Sequence, residues 1–407
     1  MCVSEAVTAV TTAEGTPSLL VTDSHCHVKL AAFQPDELSP GVSTNSAFVC
    51  GVKRMVVCGT HPDLDWELIE KIAATPSCTA VGHSTLRMEA PRPCTAIPGF
   101  GIHPWFAPGA DGGPNERVVD EKEQVVQGDG ELPSDSQVRG DTAIAFSSPP
   151  CCQRAGATSE PVRPRSTEEL LELLERALKR FPNAIVGEIG LDKLRGPPES
   201  VQIDLFLAQM KLAARYRRPV SVHCVRSFGS MLTALQQLPY EDTPPAIVLH
   251  GFTGSLDFVR SVMKIRKKEL VDISANSRSK PKAQALPIFF GVGAATSLRV
   301  KGFVENIFPF LLDGGRALLE TDAHHSLMAG GSGGTVAVHL PPGLPHEQLP
   351  TAPGEEERCK EGLVLGVAGS EQLMQLLYLV SGGDIERAKG VIERCEKTCA
   401  SVFDVFS

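Results

Sequence analysis

The sequence predicts an α/β protein of the (β/α)8 class, a TIM barrel, interrupted by two long insertions. Short apolar runs alternate with longer amphipathic segments, a pattern typical of parallel strands joined by helices. Eight such runs occur, which is the number of strands that closes a barrel. The runs are Leu20–His27, Arg54–Thr60, Ile97–Pro104, Ala184–Leu191, Pro219–Cys224, Ala246–Gly251, Glu269–Ala275 and Ala317–Thr321.

The segments between these runs carry the signals of helices. In Ser166–Arg180, Ser166 and Glu169 have the spacing of a capping box, and the leucines share one face. The other predicted helices are Glu199–Arg215, Ser227–Leu238, Ser255–Lys267, Lys301–Leu312 and a closing pair within Ser370–Val405. An open nucleotide-binding sheet would need a Gly-rich turn after its first strand. Asp23–His27 contains no glycine, which favours the barrel.

Two stretches lack this periodicity and predict inserted loops. Residues 107–165 carry ten acidic and six basic side chains without a sustained period, and residues 326–360 are rich in glycine and proline. We expect both to be disordered insertions in one barrel domain that spans residues 19–407. Residues 1–18 are expected to form a flexible N-terminal tail.

Composition excludes several classes of protein. The 407 residues include 39 basic and 48 acidic side chains, and the net charge of −9 argues against a broad surface for duplex DNA. None of the apolar runs reaches the roughly 20 residues that span a bilayer, so we expect no membrane contact. The twelve cysteines include no Cys-x-x-Cys pair, which fits reduced thiols. We expect a soluble protein of the cytoplasm or the nucleus, and the sequence indicates no particular protein partner.

Side chains that bind metals end most of the predicted strands, at the face where barrel enzymes build their active sites. His25 and His27 lie two residues apart on a strand and therefore point the same way. The other candidates are His103, Glu188, Asp192, His223, His250 and Asp322. Imidazole nitrogens and carboxylate oxygens suit divalent ions such as zinc or manganese, and a carboxylate can bridge two ions.

This set of residues predicts metal-assisted hydrolysis. Two divalent ions can polarise a phosphoryl or carbonyl oxygen while a nearby carboxylate takes the proton from water. Glu188 is the predicted bridge between the ions, and Asp322 is the predicted base.

At these positions the chain resembles the TatD family of metal-dependent hydrolases, which have an amidohydrolase-like barrel. The resemblance covers roughly residues 20–325, apart from the first insertion. Its motifs are Asp-Ser-His-Cys-His at 23–27, Gly-Ile-His-Pro at 101–104, Val-Gly-Glu-Ile-Gly-Leu-Asp at 186–192, Leu-His-Gly-Phe-Thr-Gly-Ser at 249–255 and Leu-Glu-Thr-Asp at 319–322.

The resemblance implies a centre of two divalent ions, Mg, Mn or Zn. The implied ligands are His25, His27, Glu188, His223, His250 and Asp322. It also implies a deoxyribonuclease that cleaves phosphodiester bonds in DNA or a related substrate, with substrate contacts from His103 and Arg226.

Two positions depart from the family pattern. Arg226 lies one residue later than the family's usual arginine, and His324-His325 replaces its usual proline. For His324 and His325 two interpretations remain open: they border the site or they are solvated.

Two other functions remain as alternatives. The same metal site would also hydrolyse an amide, ester or lactone in a small molecule, and the acidic net charge favours that substrate class. The third hypothesis is a non-catalytic interaction protein on the same barrel, against which the complete set of six ligand positions argues.

Overall fold

Eight parallel strands form the centre of the computed structural model. The structure describes residues 10–11, 17–29, 49–75, 78–84, 87–88, 92–108, 164–268, 283–328, 363–367 and 370–404. We number the barrel strands β1 (Pro17–Lys29), β2 (Val49–Cys58), β3 (Arg92–Phe100), β4 (Ile185–Asp192), β5 (Val220–Val225), β6 (Ile247–Leu249), β7 (Ile288–Gly293) and β8 (Ala317–Glu320).

Each strand pairs in parallel with the next, from β1 to β8. Backbone hydrogen bonds then join β1 to the segment after β8: Asp322 N donates to His25 O at 3.0 Å, and His27 N donates to Ala323 O at 2.8 Å. Hydrogen bonds therefore join the first strand of the sheet to the segment that follows the last strand, and the predicted (β/α)8 class is confirmed.

The seventh strand differs from the sequence prediction. The predicted run Glu269–Ala275 lies outside the described residues, and β7 occupies the place between β6 and β8. The run that forms β7, Ile-Phe-Phe-Gly-Val-Gly, is fully buried. Its two glycines interrupt the apolar pattern from which strands are predicted, which explains why it was missed.

The described helices are α1 (Trp66–Ala73), α2 (Thr167–Arg180), α3 (Glu199–Arg215), α4 (Phe228–Gln237), α5 (Leu256–Met263), α6 (Phe308–Asp313), α7 (Ser370–Ser381) and α8 (Ile385–Phe403). The sequence did not predict α1, and the helix predicted at Ser255–Lys267 ends at Met263 because Arg266–Lys268 pair as a strand. The capping box of Ser166 and Glu169 is present at the start of α2. Part of the predicted helix Lys301–Leu312 is a π-helical turn at Phe303–Ile307, which leads into α6.

Helix α8 covers the inside of the barrel at the amino ends of the strands. Cys399, Val402 and Phe403 pack with inward-facing residues near the strand starts, such as Ile185 and Leu318. On the same helix, the Glu396 carboxylate accepts hydrogen bonds from Thr22 N at 2.7 Å and from Thr22 Oγ1 at 2.9 Å. Because this end is filled, the carboxyl ends of the strands are left for a functional site.

Further short strands extend the sheet beyond the barrel. Val10–Thr11, within the predicted tail, pairs antiparallel with the first residues of β1. His324–Met328 pairs in parallel with the end of β1 and antiparallel with Leu363–Val367. Cys78–Ser84 and Arg87–Met88 also belong to this extension, whereas Arg266–Lys268 and Ala283–Ala285 pair antiparallel with each other in a separate two-stranded sheet. Of the two predicted insertions, residues 109–163 and 329–360 lie outside the described residues.

Two expectations from composition can be compared with the described part of the chain. No disulfide joins any two of the seven cysteines whose side chains are described. Among the described helices, none combines the length and the apolar character that a bilayer crossing requires.

Candidate metal centre

Glu188 lies at the centre of a group of five imidazole rings at the carboxyl ends of the strands. Its side chain is only 3% exposed, and its two oxygens face different rings. Oε2 lies 3.6 Å from His25 Nε2 and 3.3 Å from His27 Nε2. Oε1 lies 3.2 Å, 2.8 Å and 2.7 Å from ring nitrogens of His103, His223 and His250, respectively. The carboxylate therefore connects two sets of potential ligands.

Asp322 joins the first of these sets. Its Oδ1 lies 3.6 Å from His27 Nε2 and 3.8 Å from His25 Nε2. The residue has a positive φ of 56°, an uncommon backbone conformation for aspartate. Hydrogen bonds on either side hold it there: its own N–H donates to His25 O, and Thr321 donates to the Asp23 carboxylate from both N and Oγ1.

Two glycines allow the strands to approach each other around Glu188. A Cβ on Gly190, whose φ is +146°, would lie 2.0 Å from the carbonyl oxygen of His223, and a Cβ on Gly101 would lie 2.5 Å from that of Glu188. A side chain at either position would push apart the strands that carry the site. The glycines of the 101–104 and 186–192 motifs thus have a direct steric role.

Neighbouring groups orient the rings of His25 and His27. The His27 ring points Nδ1 at the carbonyl oxygen of Cys58, 2.9 Å away. A carbonyl only accepts, so Nδ1 carries the proton and Nε2 keeps its lone pair towards Glu188. The His25 ring has Nδ1 2.8 Å from Ser221 Oγ, which leaves its Nε2 directed at His27 Nε2, 3.3 Å away.

His223 and His103 have opposite orientations. In His223, Nε2 faces the Asp192 carboxylate at 3.2 Å, so Nε2 is the protonated nitrogen and the Nδ1 lone pair faces Glu188. In His103, Nδ1 accepts from Trp105 N at 3.3 Å. His103 therefore presents an Nε2–H donor to Glu188, whereas His223 presents an acceptor.

In the neutral rings, the lone pairs of His27 Nε2 and His223 Nδ1 would face carboxylate oxygens. That arrangement is repulsive unless a proton or a cation lies between the two atoms. Burial opposes a charge on His27, yet hydrogen bonding to Asp322 and Glu188 outweighs burial and raises its pKa well above the usual value. For His223, hydrogen bonds to Asp192 and Glu188 likewise outweigh burial and raise the pKa to about 9. Without an ion, protons on these two rings therefore meet the carboxylates. A divalent cation could replace these protons, and the imidazole and carboxylate donors fit such a cation.

The pKa values of His25, His103 and Glu188 are instead lowered. Burial lowers the pKa of His25 and of His103 to about 4, so both rings are neutral near neutral pH. Burial would raise the pKa of Glu188, but the surrounding imidazoles, His250 first, hold it well below its usual value. Glu188 is therefore an anion at physiological pH.

Within the described residues, three groups of side chains with metal-binding atoms surround this carboxylate. They are His25 with His27 and Asp322, His25 with Glu188 and His250, and His103 with Glu188 and His223. The structure thus brings together all six predicted ligands, and it adds His103 to their cluster. A fourth group, Asp23 with Cys26 and His325, is buried behind β1.

The other predicted residues lie at or behind the rim. Arg226 is exposed just after β5, with a positive φ of 51°. His324 borders the site: its ring stacks on that of His27 with centroids 5.0 Å apart, and its buried Nε2 has no hydrogen-bond partner among the described residues. His325 turns inward instead, where its Nε2 lies 3.4 Å from Asp23 Oδ2.

Sequence reasoning missed the residues that support the ligands. Ser221 lies two positions before His223 on β5, so alternation along the strand could have placed it on the inner face. Trp105 follows the Gly-Ile-His-Pro motif, and its Nε1–H donates to Asp192 Oδ2 at 2.6 Å. No spacing rule would have paired these two residues, which lie 87 positions apart.

Three known proteins illustrate what the chain is similar to. Cut9-interacting protein scn1 of Schizosaccharomyces pombe is 27% identical over 284 residues, which cover 58% of this chain and 72% of scn1. The uncharacterised metal-dependent hydrolase YjjV of Escherichia coli is 34% identical over 125 residues, 29% of this chain and 47% of YjjV. Its crystal structure aligns with a TM-score of 0.48 at 19% identity, covering 95% of this chain and 98% of YjjV.

The third relative is the 3'-5' ssDNA/RNA exonuclease TatD of Citrobacter koseri. It is 40% identical over 83 residues, which make up 19% of this chain and 30% of the exonuclease. The chain thus matches less than half the length of YjjV and of this exonuclease. The model of the family described as TatD related DNase matches residues 22–323, most of the described barrel. The chain therefore belongs to the TatD-related DNase family of metal-dependent hydrolases.

Proposed function

We propose that this protein is a phosphodiesterase that acts on DNA with two divalent ions, Mg, Mn or Zn, held on either side of Glu188. The observation that carries the proposal is the division of the Glu188 oxygens between two sets of ring nitrogens. His25, His27 and Asp322 would hold one ion, and His223 and His250 the other. When bound, such ions make water more acidic and withdraw charge from phosphoryl oxygens.

Asp322 is proposed to accept the proton of the attacking water. Its side chain is 30% exposed, whereas that of Glu188 is only 3% exposed, so Asp322 can meet water. Burial would raise its pKa, but hydrogen bonding to His27 and the nearby rings hold the pKa well below its usual value. The carboxylate is therefore ionised, and the bond from its N–H to His25 O fixes its direction.

His103 and Arg226 are proposed to contact the substrate. The neutral His103 ring directs an Nε2–H into the site, where it can donate to a phosphoryl oxygen. Among the described residues, no carboxylate pairs with the exposed Arg226 guanidinium, so its charge is available to a phosphate. The exonuclease name of the C. koseri relative supports a nucleic acid as the substrate. We propose that the protein acts in the cytoplasm or the nucleus.

Chelation is the first test of this function. With excess EDTA followed by dialysis, we expect hydrolysis of an oligodeoxynucleotide to stop, and Mn, Mg or Zn to restore it. The reason is that the Ser221 hydroxyl, which contacts the His25 ring, is buried and cannot reach a substrate, so the expected nucleophile is water activated by metal. Full activity in EDTA would contradict the proposal. Turnover of esters or lactams with no release of nucleotides would favour a small-molecule substrate instead.

Substitution of Glu188 and substitution of Asp322 should have different effects on bound metal and on rate. Glu188→Gln is expected to lower both bound metal and rate, because an amide offers one acceptor oxygen where two are needed. Asp322→Asn should retain the ion on the His223 side while single-turnover rates fall by about 10²- to 10⁴-fold, as for a lost general base. Metal analysis and single-turnover kinetics on both variants measure this difference. An Asp322→Asn protein with near-normal turnover would refute the assignment.

Ser221 is expected to act on the metal through His25. Ser221→Ala removes the group that orients the His25 ring, and loss of such an outer partner typically lowers metal affinity by about 10- to 100-fold. A chelator competition titration measures this affinity independently of activity. Thr398→Ala is the matched control. It also removes a buried hydroxyl group, which donates a hydrogen bond to Arg394 O within α8, at the opposite end of the barrel from the site. Equal metal affinity in the two variants would contradict a role of Ser221 in metal binding.

A further inference from the structure

Trp105 and Arg195 form a stacked pair at the mouth of the site, which we call the Trp105–Arg195 platform. The Arg195 guanidinium carbon lies 4.9 Å from the centroid of the indole ring. The indole in turn lies 4.5 Å from the His103 ring, centroid to centroid, and 6.1 Å from that of His223. Both platform residues are partly exposed. The pair therefore connects the ligand cluster with solvent.

The platform is held rigidly. Trp105 Nε1–H donates to Asp192, and the loop that carries Arg195 is folded around the side chain of Gln202. The Gln202 amide donates to the carbonyl oxygens of Asp192 and Arg195 at 2.9 Å and 3.0 Å. A Cβ at Gly196 in this loop would come within 2.9 Å of the backbone of Pro104 and Trp105, so the loop rests directly on the tryptophan segment.

Three positively charged side chains lie around the platform. Lys193, Arg195 and Arg226 lie on two adjacent turns, since Lys193 N donates to Val225 O at 3.0 Å. Among the described residues, no carboxylate pairs with any of the three. The site mouth thus offers unpaired positive charge beside an aromatic stack.

We propose that the Trp105–Arg195 platform binds the unpaired nucleobase next to the scissile phosphate. This inference rests on the proposed function and adds that the substrate must carry a nucleobase beside the phosphate that is cleaved. Planar guanidinium and indole groups stack on any nucleobase, and such contacts accompany a positively charged groove in proteins that bind single strands. Leu194, which is 37% exposed, adds apolar surface beside the stack. A base within a duplex is already stacked and would have to be unpaired first.

Base stacking should be visible in the fluorescence of Trp105. The chain has two tryptophans, and Trp66 is buried, so Trp66→Phe leaves Trp105 as the single reporter. The metal-loaded full-length protein would be titrated with a phosphorothioate oligothymidylate and with an abasic strand of the same length and charge. We expect saturable quenching by the oligothymidylate and much weaker quenching by the abasic strand. Equal quenching by both strands would overturn the platform.

Kinetics with matched variants separate stacking from charge. Arg195→Lys keeps the positive charge but removes the planar guanidinium group that can stack on a nucleobase. KM for oligothymidylate should therefore rise about 5- to 10-fold, while KM for the abasic strand stays unchanged. Lys193→Ala, on the same loop, removes a charge without an aromatic contact and should raise both KM values equally. An equal effect of Arg195→Lys on both strands, or no effect on either, would overturn the proposal.

The two proposals fail in different ways. Base-dependent quenching without any hydrolysis would contradict the phosphodiesterase and support the platform. Metal-dependent hydrolysis with the same KM for oligothymidylate and for the abasic strand would support the phosphodiesterase and overturn the platform.

Discussion

The buried carboxylate of Glu188 is the group on which the rest of the site depends. An ionised carboxylate loses several kcal/mol of hydration when it is buried, and it remains charged only where other groups replace the water. Here five imidazoles replace it. Without a bound ion, raised pKa values keep protons on His27 and His223, between these rings and the carboxylates. We propose that divalent cations take the place of these protons.

The barrel supplies this arrangement from distant parts of the chain. The ligand side chains lie on or directly after β1, β4, β5, β6 and β8, and α8 fills the opposite end of the barrel. The seam between β1 and the segment after β8 is especially important because it places Asp322 beside His25 and His27. Glycines at 101 and 190 then let the strands come close enough for one carboxylate to reach both sets of rings.

Much of this could be predicted from the sequence, because strand ends in a barrel must meet. The positions of His25, His27 and Asp322 followed from apolar runs and strand alternation, and α3 has the predicted bounds. What could not be predicted depends on contacts that have no local signature. The tautomer of His27 is decided by the Cys58 carbonyl, and the stack of Trp105 on Arg195 joins two loops. The seventh strand was missed because glycines interrupt it.

Anomalous diffraction from crystals grown with Mn would test the central claim most directly. The account predicts two peaks, one beside each oxygen of Glu188, separated by about 3.5 to 4 Å. The first should contact His25, His27 and Asp322, and the second His223 and His250. A single peak, or two peaks that Glu188 does not connect, would contradict a centre built around one shared carboxylate.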